Sequence, residues 1–243
     1  MNDSLLRINR YLALCGLGSR RECESIVLEG RVAVNGTQVE TLSFKVDREK
    51  DSVSVNGTKV KPSEEHLYIM LNKPPGYVVS RDGEGLKSVY ELLTGQPKNL
   101  AYAGRLDTAS EGLLLFSTNG EFINRLTHPR YGFSKIYLVT VDSPLSEAAR
   151  QTFRRGIRLE EGMTLPAQIE AIAPGGTQYR IILHEGKNRQ IRRMMEALGV
   201  KVLRIRRVAY GNLTLGNLKS GLFRHLTENE LRKLKRDLKL PLI

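Results

Sequence analysis

The feature that most constrains this chain is Gly104-Arg105-Leu106-Asp107, continued by Thr108-Ala109-Ser110-Glu111-Gly112 and the apolar run Leu113 to Phe116. A carboxylate and an arginine share one glycine-bounded loop. Ala101-Tyr102-Ala103 leads in and Leu113 to Phe116 leads out, and both read as short buried strands. A loop clamped between two buried strands is rigid, which is what a catalytic carboxylate requires. The same spacing fits an ordinary turn with a surface Arg–Asp pair, because short motifs recur by chance.

Charge narrows the function. The 243 residues carry a formal net charge of +12, which points to a polyanionic partner, most commonly nucleic acid. The excess is uneven. Residues 1–60 hold nine Lys/Arg against eight Asp/Glu, and the remaining charge concentrates after residue 180. No apolar run reaches the length of a membrane span. Met1-Asn2-Asp3-Ser4 lacks the charged-then-apolar plan of a signal peptide, so a cytoplasmic location is expected. Cys15 and Cys23 have no companion pair at zinc spacing and read as small buried thiols. His66, His128, His184 and His225 are scattered, so no metal site is expected.

The first sixty residues read as two short helices followed by short strands. Residues 5–15 place Leu5, Ile8, Leu12 and Cys15 on one helical face, and Gly16-Leu17-Gly18 ends that helix. Ser19 and Glu22 form a capping box for a second helix that stops near Gly30. Val32 and Val34 alternate into a strand, and Asn35-Gly36 and Asn56-Gly57 are hairpin signals. Arg7, Arg10, Arg20, Arg21 and Arg31 gather on the helical half, suited to gripping phosphates. A solvated basic face is the plainer alternative.

Lys61-Pro62-Ser63-Glu64-Glu65 reads as a linker. The expected division is therefore residues 1–61, a linker at 62–66, and a second domain over 67–243. In that domain short strands and hairpin turns far outnumber long helices. This predicts an α+β fold, a mainly antiparallel sheet flanked by a few helices. Strands are expected at residues 67–71, 77–80, 134–141, 168–173, 179–184 and 200–208. Helices are expected at residues 88–93, 121–126, 146–155 and 189–198, and after the capping box Thr227–Glu230. In the helix from Arg189, Ile191, Met194, Met195 and Leu198 form the core face.

Two segments carry a resemblance to known families. Gly16-x-x-Ser19-Arg20-Arg21, followed by Glu29-Gly30-Arg31-Val32-x-Val34-Asn35-Gly36, resembles the alpha-L RNA-binding fold of the ribosomal protein S-four type. Gly104-Arg105-Leu106-Asp107, with Ser110 and Gly112, resembles the signature loop of the pseudouridine synthases that act on ribosomal RNA. Lys135-Ile136-Tyr137 and Leu183 to Met194 resemble the second and third motifs of that family. Together they look like the RsuA/RluB type. Ser19-Arg20-Arg21 and Asn188 to Met194 look closest to the RluB group, which modifies large-subunit rRNA.

The resemblance implies roles. Asp107 is the catalytic residue, Tyr137 packs on the target base, and Arg192 pairs with Asp107 and would keep it ionised. Leu183 lies against the other side of the base. Arg105 holds the flipped nucleotide or fills the gap it leaves. Lys135, Lys187, Arg189 and Arg193 join the N-terminal arginines in contacting RNA. From the residues alone, Tyr137 reads equally as a core strand tyrosine and Arg192 as a local partner of Glu196. The implied reaction turns a uridine into pseudouridine after base flipping, with no cofactor and no metal, by a monomer whose partner is rRNA. The alternatives are a synthase acting on small-subunit rRNA and a non-catalytic RNA-binding ribosome-assembly protein.

Overall fold

A computed structural model describes residues 5–63 and 65–241. The readings placed on Met1 to Ser4 and on Glu64 lie outside the described residues. Two compact units emerge: the chain up to Leu67 together with Gly95–Ala101, and Tyr68–Thr94 together with Tyr102 onward. Residues 95–101, within the expected second domain, pack with the first unit, where the Asn99 amide donates to the Ala13 carbonyl at 3.1 Å.

The first unit runs β1 (Leu5–Arg7), α1 (Ile8–Leu14), α2 (Arg20–Leu28), β2 (Val32–Val34), β3 (Thr37–Gln38), β4 (Lys45–Asp47), β5 (Val53–Val55) and β6 (Thr58–Val60). The four-stranded sheet has the order β3-β2-β5-β6, and β1 pairs separately with β4. The Ser19–Glu22 capping box forms as its spacing requires. Asn35 and Gly36, with φ of 52° and 83°, turn the β2–β3 hairpin in the left-handed region that Asn and Gly tolerate. Ile8, Tyr11, Leu12, Cys23, Val27, Val32 and Val53 make the core. Burial pushes the Cys23 thiol up to about 11 and the Cys15 thiol up to about 12, so neither is a reactive thiolate. The first helix starts three residues later than expected. Leu5 to Arg7 pair antiparallel with Lys45 to Asp47, and Leu5 is exposed rather than on a core face. That pairing is non-local, so helical periodicity could not reveal it.

The second unit contains β7 (Tyr68–Lys73), β8 (Tyr77–Val78), β9 (Lys87–Ser88), β10 (Ala101–Ala103), β11 (Glu111–Ser117), α3 (Gly120–Thr127), β12 (Lys135–Val141) and α4 (Glu147–Arg155). It continues with β13 (Arg158–Leu159), β14 (Gly162–Met163), β15 (Gln168–Ala171), β16 (Gln178–Leu183), α5 (Gln190–Glu196), β17 (Val202–Tyr210), β18 (Leu213–Thr214), β19 (Phe223–His225) and α6 (Glu228–Asp237). The main sheet has the order β15-β16-β12-β17-β11-β7-β19. Every pairing along it is antiparallel except β11 with β17. The fold is thus α+β with a mainly antiparallel sheet.

The expected helix at 88–93 is instead the short strand β9 followed by a 3-10 turn at Val89–Leu92. The expected strand at 200–208 lies two residues further on, ending at Tyr210. Helix α5 stops at Glu196, short of Leu198. Two inner strands, β7 and β11, are almost wholly buried, and the Gly104–Ser110 loop leads into the start of β11. Among the described residues, no helix is long and apolar enough to cross a membrane.

Candidate active site

The loop of Gly104 to Ser110 is fixed from below by a buried lysine. The Lys73 side chain, at the end of β7, has no exposed surface. Its Nζ donates to the carbonyls of Pro74 at 3.1 Å, Asp107 at 3.2 Å, Thr108 at 3.2 Å and Ser110 at 2.7 Å. A compact ammonium can gather carbonyls in this way, and four of them replace the water it has lost. Burial still lowers its pKa to about 8, opposed by Asp107 and Glu111 and assisted by Arg207. The Gly76 amide adds a bond to the Thr108 carbonyl at 2.8 Å, and the Ser110 amide closes the turn onto the Asp107 carbonyl at 2.9 Å.

Gly112 is required by close packing. A Cβ there would lie 2.2 Å from the Arg207 carbonyl oxygen, and its φ of +105° disfavours any side chain. Without that glycine β11 could not pair with β17 at Arg207. Tyr210, fully buried, donates from its hydroxyl to the Ala103 carbonyl at 2.6 Å and so braces the strand entering the loop. Burial pushes its hydroxyl up to about 12, which keeps it a donor.

Asp107 faces a cleft of about 140 Å³. The lining includes Arg105, Asp107, Lys135, Tyr137, Leu183, Lys187, Arg189, Ile191, Ile205 and Arg207. Arg192 Nε lies 3.6 Å from Asp107 Oδ2, an ion-pair separation rather than a hydrogen bond. The carboxylate side chain is 30% exposed and therefore reachable from solvent, while Arg192 is 16% exposed. Arg192 Nη1 also donates to the Val202 carbonyl at 3.2 Å, which ties the guanidinium to β17. The local pair with Glu196 is not the arrangement observed.

Tyr137 and Leu183 stand on adjacent strands, both buried. A register shift between Ile136 and Tyr137, where β12 meets β17, marks a bulge beside Tyr137. Bulges commonly re-aim side chains next to sites. Lys135 shares the inward face with Tyr137, is only 6% exposed and lines the cleft. Its Nζ donates to the Phe133 carbonyl at 3.0 Å. Burial, with Arg207 repelling and Glu185 attracting, lowers its pKa to about 8.

The segment before α5 is organised by a buried polar pair. Gln190 Nε2 donates to Glu185 Oε1 at 2.8 Å, and Gln190 Oε1 accepts from the Lys187 amide at 3.0 Å. The Leu165 amide completes the bonding of Glu185 at 2.8 Å. Arg189 sits in the left-handed region, with φ of 48°, and lines the cleft. Lys187 also lines it, with Nζ held by the Met163 carbonyl at 2.8 Å. Arg193 turns away, paired with Glu161.

In the first unit a separate groove is lined by Leu5, Leu6, Arg7, Asn9, Arg10, Arg20, Arg21, Glu24 and Lys45. Arg31 is not among these residues; it pairs with Glu29 at 2.9 Å and Asn56 at 3.1 Å. Among the described residues no three His, Cys, Asp or Glu side chains form a metal-binding group.

Comparison with known proteins decides the family. The RNA pseudouridylate synthase profile matches residues 67–197, and an S4 domain profile matches residues 6–53. This chain belongs to the RNA pseudouridylate synthase family. It is an isomerase with an N-terminal S4 domain. An uncharacterized RNA pseudouridine synthase of Aquifex aeolicus is 40% identical, covering 94% of this chain and 93% of that protein. The ribosomal large subunit pseudouridine synthase B of Bacillus subtilis is 38% identical over 94% of this chain and 95% of its own length. A crystal structure of a pseudouridylate synthase aligns with a TM-score of 0.69 and 32% identity, covering 94% of this chain and 99% of that one.

Sequence reasoning missed Lys73, which holds the Asp107 loop, and Arg207, which lines the cleft. Lys73 lay in a Lys-Pro-Pro-Gly stretch that reads as a plain turn. Arg207 lay among Lys201, Arg204 and Arg206, as one more basic residue. For Arg207 the available signal was the alternation that puts it on one face with Ile205 and Ala209.

Proposed function

We propose that this protein converts a specific uridine of ribosomal RNA, in the large subunit, to pseudouridine. The observation that carries the reading is the Asp107–Arg192 pair at the edge of a cleft walled by Tyr137 and Leu183. The cleft is of a size to take one flat base, and its walls are apolar where a base needs stacking. The 38% identity to a Bacillus enzyme named for the large subunit supports the choice of rRNA.

In this reading the target nucleotide leaves its stack and the base enters between Tyr137 and Leu183. Arg105 holds the flipped nucleotide or fills the gap it leaves. Lys187 and Arg189 contact the backbone at the cleft, and the groove lined by Arg7, Arg10, Arg20 and Arg21 binds a separate part of the RNA. Arg31 and Arg193 are engaged in exposed ion pairs worth little. An RNA phosphate can take either arginine from its carboxylate partner. Asp107 attacks the sugar or removes a proton from it, and Arg192 balances its charge. The protein works as a monomer without cofactor or metal.

The test uses large- and small-subunit rRNA transcripts tritiated at uridine carbon 5. Label released into water from the large-subunit transcript alone, at one mapped uridine, is the expected result. Release from the small-subunit transcript alone would overturn the target. Release from neither, with a partly assembled large subunit also inert, would favour a non-catalytic RNA-binding protein.

A further inference from the structure

Arg207 is a fully buried cation that the roles above do not use. It is 1% exposed and lines the cleft. On β17 it pairs in register with Tyr137, the proposed stacking residue, on one side and with Gly112 of the signature loop on the other. Its Nε donates to the Leu113 carbonyl at 2.7 Å, and Nη1 reaches the Arg105 carbonyl at 3.5 Å. The guanidinium carbon lies 4.5 Å from the Tyr210 ring centroid. Nη2 is buried and has no hydrogen-bond partner. Among the described residues no ion pair joins Arg207 to a carboxylate.

A buried guanidinium without a carboxylate is expensive to keep, and an apolar side chain there would be easier to bury. Orphaned buried donors are rare in folded proteins and call for an explanation. Lys135, buried in the same wall, adds a second positive charge. Asp107 is the one carboxylate in the lining; Glu185, which attracts Lys135, lies outside it, bonded to Gln190 and the Leu165 amide. The cleft therefore has an excess of fixed positive charge suited to an anion that arises during turnover.

The reaction proposed above supplies that anion, and this inference rests on that reading. When the bond from C1′ to N1 of the base breaks, its electron pair stays on the base. The base becomes a uracil anion, with charge shared among N1 and the two carbonyl oxygens. This holds on both routes. If Asp107 attacks C1′, its carboxylate forms the new bond as N1 leaves. If Asp107 removes the C2′ proton, the freed pair forms the C1′–C2′ double bond as N1 leaves. We propose that Arg207 holds this detached uracil anion, its guanidinium donating to a carbonyl oxygen of the base until C5 bonds to C1′. The rejoining step returns the carboxylate or the C2′ proton. The C5 proton is then lost to solvent and N1 takes one up, so the net change is isomerisation.

The test compares Arg207→Gln with the wild type on large-subunit transcripts containing either uridine or 5-fluorouridine. 5-Fluorouracil is the more acidic base and needs less help to leave. Consumption of the target nucleoside in a single turnover is read by chromatography of the digested RNA. Arg207→Gln is expected to slow uridine consumption about a hundredfold, the scale of losing one charge-stabilising donor. RNA affinity should stay within about threefold, and the deficit should shrink at least about tenfold with 5-fluorouridine. Equal deficits on the two RNAs, or no deficit, would overturn the proposal. Arg207→Lys, which keeps the charge, carries the same comparison if the glutamine variant does not fold. Its deficit should be smaller and should also shrink with fluorine; equal deficits again overturn the proposal. If the wild type consumes neither nucleoside, the functional reading itself fails, and this inference with it.

Discussion

The two units place their cations in opposite ways. In the S4 unit Arg7, Arg10, Arg20 and Arg21 line an open groove beside Asn9 and Glu24. In the synthase unit Lys73, Lys135 and Arg207 are buried, bonded to backbone carbonyls beneath or beside the Asp107 loop. Exposed arginines cost little to solvate and gain affinity from phosphates through released counterions, so their effect fades with salt. Buried cations are costly to keep, and what they give is fixed geometry and a preset field. The S4 set should therefore govern binding and the synthase set should govern rate.

The largest expected effect is at the ion pair. Arg192→Ala is expected to lower the single-turnover rate by about a hundredfold or more while leaving RNA affinity nearly unchanged. A comparable loss of affinity would place Arg192 with the exposed set. Next is Lys73→Met, which leaves the buried Ser110 carbonyl without its 2.7 Å donor. We expect a rate loss of at least about tenfold and roughly 1–3 kcal/mol of stability, read by denaturant titration. Full activity would mean that the loop holds its shape without the ammonium.

In the S4 unit, combined Arg10→Ala, Arg20→Ala and Arg21→Ala should weaken RNA binding about tenfold at moderate salt. The slope of log affinity against log salt should fall by about two, with the saturating rate unchanged. A slower saturating rate would break the division from the other side.

The smallest effect concerns pH. Lys73 and Lys135 each titrate near 8 in the folded protein against 10.5 ordinarily, with burial the main cause. Between those values the unfolded chain binds more protons than the folded one. Stability contributed by these two groups therefore rises with pH from about 8 to 10.5 and is flat below. A rise in Tm across that interval is expected, read by thermal unfolding at a series of pH values. The rise should shrink in Lys73→Met; an unchanged rise would remove Lys73 as its source.

What the sequence showed of this arrangement was what is local. The capping boxes at Ser19 and Thr227, the Asn-Gly hairpin turns and the alternation of residues 135–141 each reside within a few residues, and the structure keeps them. What the sequence hid is long-range. Lys73 reaches carbonyls 34 to 37 residues away, and Arg207 reaches Leu113 across 94 residues. No periodicity encodes those contacts. The strand at Leu5–Arg7 was hidden for the same reason, since its partner begins at Lys45.

The most direct test of the account is Asp107→Ala, assayed for tritium release from 5-tritiated large-subunit rRNA beside a binding measurement on the same RNA. No release and an affinity within about threefold of the wild type are expected, since a carboxylate adds nothing to phosphate contacts. Release at the wild-type rate from Asp107→Ala would contradict the account.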